Sequence, residues 1–144
     1  MVIMQIWMLR FLLRRWYALM LRCGLFQGLS TVFPLWARSD AIYVGPAGPC
    51  ATVYPECVAL KRVIKTSSIN DAEFYEHLSH RSPWVVGYCF EALIARNSPL
   101  LDSLPETLLN RTEQVTVGLG CMRCYLPLRE HVKNRMERLS HADV

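Results

Sequence analysis

Residues 115–127 read VTVGLGCMRCYLP and carry the clearest pattern in the chain. Apolar side chains alternate there with small or polar ones, as Val115, Val117 and Leu119 do with the residues between them. Alternation with a period of two is typical of a β-strand that buries one face. We therefore predict a strand that leads directly into Cys121 and Cys124, a cysteine pair separated by two residues.

Three segments before this strand also favour extended structure. Residues 84–90 are rich in aromatic and β-branched side chains, and residues 57–64 hold an apolar run bounded by turn formers. Residues 42–49 contain two Gly-Pro pairs, which exclude a helix. These patterns predict two more strands and an extended, turn-rich segment.

Helices are predicted for the remaining patterned segments. Residues 71–80 have a capping residue, Asn70, and acidic side chains in the first turn. Residues 91–96 and 99–110 favour short helical pieces. After residue 127, four apolar residues share one face of an amphipathic helix: Leu128, Val132, Met136 and Leu139. The expected fold is a small, mainly β domain with a C-terminal amphipathic helix.

The positive charge of this 144-residue chain lies at its N-terminal end. Residues 1–41 contain five arginines and one acidic residue, whereas residues 42–144 contain 11 basic and 11 acidic residues. Because the second part is neutral, we expect no nucleic-acid partner. The longest uncharged run of residues 1–41 covers residues 23–37 and is shorter than the roughly 20 residues of a membrane-spanning helix.

An arginine-bearing segment followed by a short apolar run and small residues is typical of a signal peptide. We predict cleavage between Ala37 and Ala41, which divides the chain into a leader (1–41), a disulfide-rich domain (42–127) and a helical tail (128–144). Two alternatives stay open. One is a mitochondrial presequence, since four arginines fall within a helical arc of about 140°. The other is a segment retained as an amphipathic membrane anchor.

The cysteines of residues 42–144 favour secretion. They are Cys50, Cys57, Cys89, Cys121 and Cys124. So many cysteines in a small domain indicate structural disulfides, and we expect a bridge between Cys89 and the Cys121/Cys124 pair. Because the number of cysteines is odd, one of them has no partner within the chain, and Cys50 or Cys57 is expected to link two chains into a homodimer. Asn110 begins the sequence Asn-Arg-Thr, an acceptor for N-glycosylation.

No pattern in the chain favours catalysis or a cofactor. The sequence lacks a Ser/His/Asp order and a glycine-rich phosphate loop, so an enzyme is not expected. A weaker hypothesis is a metal site that combines Cys121 and Cys124 with His131 or His141. His77 and His80 share a helical face, but a solvated polar face explains them better than a metal site does.

Two stretches resemble the interleukin-17 cytokine family. Residues 115–127 are similar to its C-terminal signature, in which a valine-rich strand runs through glycine into a close cysteine pair, and residues 81–84 (Arg-Ser-Pro-Trp) are similar to its Ser-Pro-Trp. The resemblance implies a cystine-knot-like β dimer that binds a transmembrane receptor. The expected function is that of a secreted, extracellular signalling protein, with Trp84 and Tyr88 as receptor contacts. The alternative is a membrane-associated or mitochondrial protein anchored by its N-terminus.

Overall fold

The computed structural model describes residues 2–23, 28–47 and 52–142, and most of them are helical. The seven α-helices of this part are α1 (Val2–Arg22), α2 (Phe33–Ala37), α3 (Pro55–Lys65), α4 (Asp71–Glu76), α5 (Pro83–Ala95), α6 (Glu106–Leu109) and α7 (Leu128–Ala142). Its strands are β1 (Ile42–Ala47), β2 (Gln114–Gly120) and β3 (Met122–Pro127). Short 3₁₀ helices lie at Leu29–Thr31, His77–Ser79 and Pro99–Ser103.

The predicted mainly β fold is wrong, because two of the predicted strands are helices. Residues 57–64 belong to α3, and residues 84–90 belong to α5. Every residue of α5 from Val85 to Ile94 is buried. A helix that is apolar on all sides shows no helical period, so its sequence cannot be distinguished from that of a buried strand. Pro55 and Pro83 occupy the first turns of these two helices, where proline is favoured.

The sheet is small, with the strand order β1-β2-β3. β2 confirms the strand predicted from the alternating pattern, and it pairs antiparallel with β3. β1 pairs parallel with β2, with Ile42 opposite Val117 and Tyr43 opposite Gly118. The predicted C-terminal helix is α7, whose apolar stripe buries Leu128 and Val132.

The core forms around α5 and draws on both ends of the chain. Trp36 of α2 stacks on Tyr88 of α5, with ring centroids 5.0 Å apart. The Tyr88 hydroxyl donates to the Ala41 carbonyl at 2.9 Å and accepts from the Tyr43 N–H at 3.1 Å, which ties α5 to the start of β1. The same cluster contains Tyr17 of α1 and Val132 of α7. Residues from the predicted leader therefore pack in one core with the rest of the described chain.

The predicted disulfide framework is also wrong for the described cysteines. Cys23, Cys57, Cys89, Cys121 and Cys124 are all unpaired. Cys89 lies inside α5 with no exposed surface, whereas Cys121 and Cys124 are exposed on the β2–β3 hairpin, so the expected bridge between them does not form. Cys50 lies outside the described residues. The helical core takes the stabilising role that disulfides were expected to have.

Candidate functional site

One face of α1 is apolar and exposed. The side chains of Met8, Leu9, Phe11, Leu12, Trp16 and Leu19 are between 55% and 62% exposed. At 100° per residue, five of them fall within an arc of about 100°, and Phe11 lies at the flank. Large apolar side chains that are exposed together on one face, rather than scattered singly, are typical of a place of interaction. We call these six residues the α1 apolar face.

The opposite side of α1 attaches the helix to the body of the protein. Tyr17 is buried in the main core, and Leu13 packs against it. Between them in sequence, Arg14 reaches across to α3. These contacts fix the orientation of the helix, so the α1 apolar face points away from the core.

Arg14 is held by two carboxylates. Its Nη2 lies 2.9 Å from Glu56 Oε1 and 3.2 Å from Asp40 Oδ1. The side chain of Glu56 is only 1% exposed, and burial raises its pKa, although the neighbouring Arg14 acts in the opposite direction. Tyr43 donates from its hydroxyl to Asp40 at 2.9 Å. A buried carboxylate with one cationic partner makes Arg14 a fixed attachment point of α1.

Arg15, the next residue, is exposed and stays on the outer side of the helix. Its guanidinium carbon lies 5.6 Å from the centre of the Phe11 ring. A cation beside exposed apolar and aromatic side chains is the arrangement seen where a helix meets the headgroup region of a bilayer. The adjacent arginines Arg14 and Arg15 thus face opposite environments.

A second buried cluster joins α5 to α7 and was missed by sequence analysis. Glu91 accepts from Arg135 at 3.0 and 2.8 Å, and His131 Nε2 lies 2.9 Å from its Oε1. Burial alone would raise the pKa of Glu91, but the hydrogen bonds from Arg135 and the close contact with His131 outweigh burial and lower it. The spacing of His131 and Arg135 by four residues was the available signal, since it places both on one face of α7. This cluster is an internal connection between helices.

The residues expected to contact a receptor occupy different positions. Tyr88 has no exposed surface, and its hydroxyl is engaged with the backbone of β1 and the residues before it. Trp84 is half-buried in the first turn of α5. Asn110 is exposed just after α6, and its glycosylation stays a prediction.

The residues of the weaker metal-site hypothesis, and the His77/His80 pair, are dispersed. His131 faces Glu91, and His80 Nδ1 accepts from the Ser82 N–H at 3.0 Å. The rings of both His77 and His80 contact Phe33. Within residues 2–23, 28–47 and 52–142, no cluster of three or more His, Cys, Asp or Glu side chains could hold a metal ion.

Among the described helices, none is both long enough and apolar enough to cross a bilayer. Comparison of the chain with known protein families, with curated proteins and with solved structures finds no match.

Proposed function

We propose that the protein associates with the surface of a membrane through α1, which stays attached to the folded domain. The observation that carries this proposal is the α1 apolar face, with six large apolar side chains exposed on one helix. A lipid surface is a suitable partner for the α1 apolar face, because residues 1–37 contain no acidic side chain and residues 1–41 have a net charge of +4. Anionic headgroups attract such a segment while the acyl region takes up the apolar face.

The contacts of α1 favour a helix that lies along the membrane surface. Inserting α1 across a bilayer would pull Tyr17 out of the core and separate Arg14 from the buried Glu56. Leaving that carboxylate buried without its cation would cost about 3 to 5 kcal/mol. A helix of 21 residues lying in the surface presents about 30 Å of contact length without breaking either interaction.

The receptor-ligand hypothesis loses its support in this fold. It rested on a disulfide-stapled β domain, and the described cysteines are unpaired in a helical protein. A transmembrane receptor, a secreted location and a homodimer remain untested predictions from the sequence.

Vesicle co-sedimentation of the full-length protein tests the proposal. We expect binding to vesicles of phosphatidylcholine with phosphatidylserine, and weaker binding to phosphatidylcholine alone. Replacing Leu12 and Trp16 with Gln should weaken binding by roughly tenfold to a hundredfold, because each side chain loses part of a transfer energy of about 2 kcal/mol.

A matched control uses two exposed apolar residues away from α1. Val53→Gln together with Leu109→Gln changes side chains of 48% and 47% exposure and should leave binding unchanged. Equal binding by the two double variants would contradict the role of the α1 apolar face. Absence of the wild-type protein from both kinds of vesicle pellet would reject membrane association itself.

A further inference from the structure

The outer edge of β3 is a second exposed feature, separate from α1. β3 lies at one end of the sheet, and its first four residues are exposed on both faces. Met122 and Tyr125 are exposed to 64% and 73%. Proteins usually protect such edges, because the unpaired N–H and C=O groups are a template for another strand.

The register of the hairpin shows which backbone groups point outward. Leu128 donates from its N–H to the Glu113 carbonyl at 2.9 Å, which marks these two residues as a hydrogen-bonded pair. Hydrogen-bonded and non-hydrogen-bonded pairs alternate along an antiparallel ladder. Val117 and Cys124 are therefore hydrogen-bonded to each other, whereas Arg123 and Tyr125 direct their N–H and C=O groups away from β2.

From this geometry we propose that β3 pairs antiparallel with β3 of a second copy of the chain, about a two-fold axis at Cys124. Arg123 of each copy then lies opposite Tyr125 of the other, and each of these pairs exchanges two hydrogen bonds. Cys124 faces its own counterpart in a non-hydrogen-bonded pair.

The alternative registers are less favourable. An axis at Arg123 would place two arginines directly opposite each other, which is destabilising. An axis at Tyr125 would pair Arg123 with Pro127, which has no N–H to donate. Only the axis at Cys124 satisfies the outward groups of both Arg123 and Tyr125 without opposing like charges.

Cross-linking tests the register directly. In a non-hydrogen-bonded pair the two Cα atoms are about 4.5 Å apart, within the range that a disulfide requires. Oxidised glutathione can supply the oxidising equivalents: two Cys124 thiols lose their protons and two electrons to form one disulfide, and one glutathione disulfide is reduced to two thiols.

Two matched chains are compared, each with Cys23 and Cys50 replaced by Ser. One also carries Cys121→Ser and keeps Cys124, and the other carries Cys124→Ser and keeps Cys121. We expect a dimer on non-reducing electrophoresis from the chain with Cys124, at roughly ten times the yield from the chain with Cys121. Equal yields would contradict the axis at Cys124, and absence of a dimer from both chains would contradict the pairing.

Sedimentation under reducing conditions tests the backbone pairing independently of the thiols. Tyr125→Pro removes an outward N–H from each copy but no bond to β2, so the dissociation constant should rise roughly tenfold or more. Tyr125→Val keeps the N–H and is the matched control, with a smaller effect. A wild-type protein that stays monomeric at high concentration, or equal dissociation constants for both variants, would overturn the proposal. Circular dichroism verifies that each variant is folded.

Discussion

Glu56 and Glu91 are both buried, yet their surroundings shift their acidity in opposite directions. Burial dominates at Glu56 and raises its pKa, with Arg14 as its cationic partner. At Glu91, the hydrogen bonds from Arg135 and the contact with His131 outweigh burial and lower its pKa. A carboxylate whose pKa is lowered by folding stabilises the folded state when ionised. Glu91 therefore contributes stability at neutral pH, and ionised Glu56 does not do so to the same extent.

We predict that Glu91→Gln lowers the free energy of unfolding by about 2 kcal/mol at pH 7, because it removes charged hydrogen bonds from a buried site. Since the pKa of Glu91 is lower in the folded state, this contribution is complete above the unfolded value and disappears as the pH falls through the folded value. Wild type and variant should therefore differ less in their free energy of unfolding below about pH 4, as measured by urea unfolding.

Glu113→Gln is the control for this measurement. Glu113 also pairs with an arginine, Arg111, but its side chain is 46% exposed. An exposed ion pair contributes less than about 1 kcal/mol to stability, so Glu113→Gln should change the free energy of unfolding only slightly at every pH. A constant difference between wild type and Glu91→Gln down to pH 3 would show that ionised Glu91 is not a source of stability.

At the level of the elements, the contact between α5 and β1 depends on a glycine inside a helix. A Cβ atom on Gly87 would lie 2.2 Å from Cδ1 of the buried Ile42 side chain. Alanine is a better helix former than glycine by about 1 kcal/mol, so propensity alone favours the substitution. The close approach of β1 to α5 opposes the substitution, because the added Cβ atom would overlap with Ile42.

We predict that Gly87→Ala destabilises the protein by about 1 to 3 kcal/mol, the usual range for overpacking a core. The measurement is the urea midpoint at constant m-value. Gly45→Ala in β1 is the matched control, because a Cβ atom there meets nothing within 4 Å. A stabilised Gly87→Ala protein would mean that Ile42 moves aside without cost.

The elements also show which parts of the fold a sequence can predict. Asn70 forms the expected cap and, together with Glu73, a complete capping box, because this interaction is local. β2 was predictable because the buried Val115 and Val117 alternate in sequence with small or polar residues. α3 and α5 were not recognised, although Pro55 and Pro83 are placed as helix-starting prolines. In α3 the buried residues Cys57, Leu60 and Val63 do recur at a helical spacing, so this helix could have been recognised. In contrast, α5 is buried on every side, and its sequence shows no helical period.

The candidate site was visible in the sequence only in part. The arginine-rich, acid-free N-terminal segment indicated a targeting or membrane role, and an amphipathic anchor was among the alternatives. What it could not reveal is that Arg14 turns inward to Glu56 while Arg15 stays outside, since the two are adjacent and chemically identical. The exposure of β3 could not be predicted from the sequence either, because exposure depends on which strand occupies the edge of the sheet.

For the whole molecule, the core depends on residues from the N-terminal segment. Leu29, Val32, Leu35 and Trp36 are all buried together with α5. We predict that a chain of residues 42–144 fails to show a cooperative thermal transition by circular dichroism, because the loss of these side chains leaves apolar surface uncovered. The Leu12→Gln, Trp16→Gln protein should retain its transition, since both changes are on the exposed face of α1.

A cooperative transition of the 42–144 chain would show that the N-terminal segment is dispensable for folding. That outcome would restore the cleaved signal peptide as the better interpretation. The intact mass of the protein recovered from its cell gives an independent answer, because a retained segment keeps the mass of all 144 residues.

The parallel pairing of β1 with β2 has a consequence for synthesis on the ribosome. Ile42 pairs with Val117, so the partner of β1 is made 75 positions later (117 minus 42). Until then the nascent chain presents β1 without its neighbour, and α5 without α7. Contacts between such distant segments form late and slowly. During translation the growing chain therefore exposes apolar segments until α7 has emerged, and aggregation competes with folding in that interval.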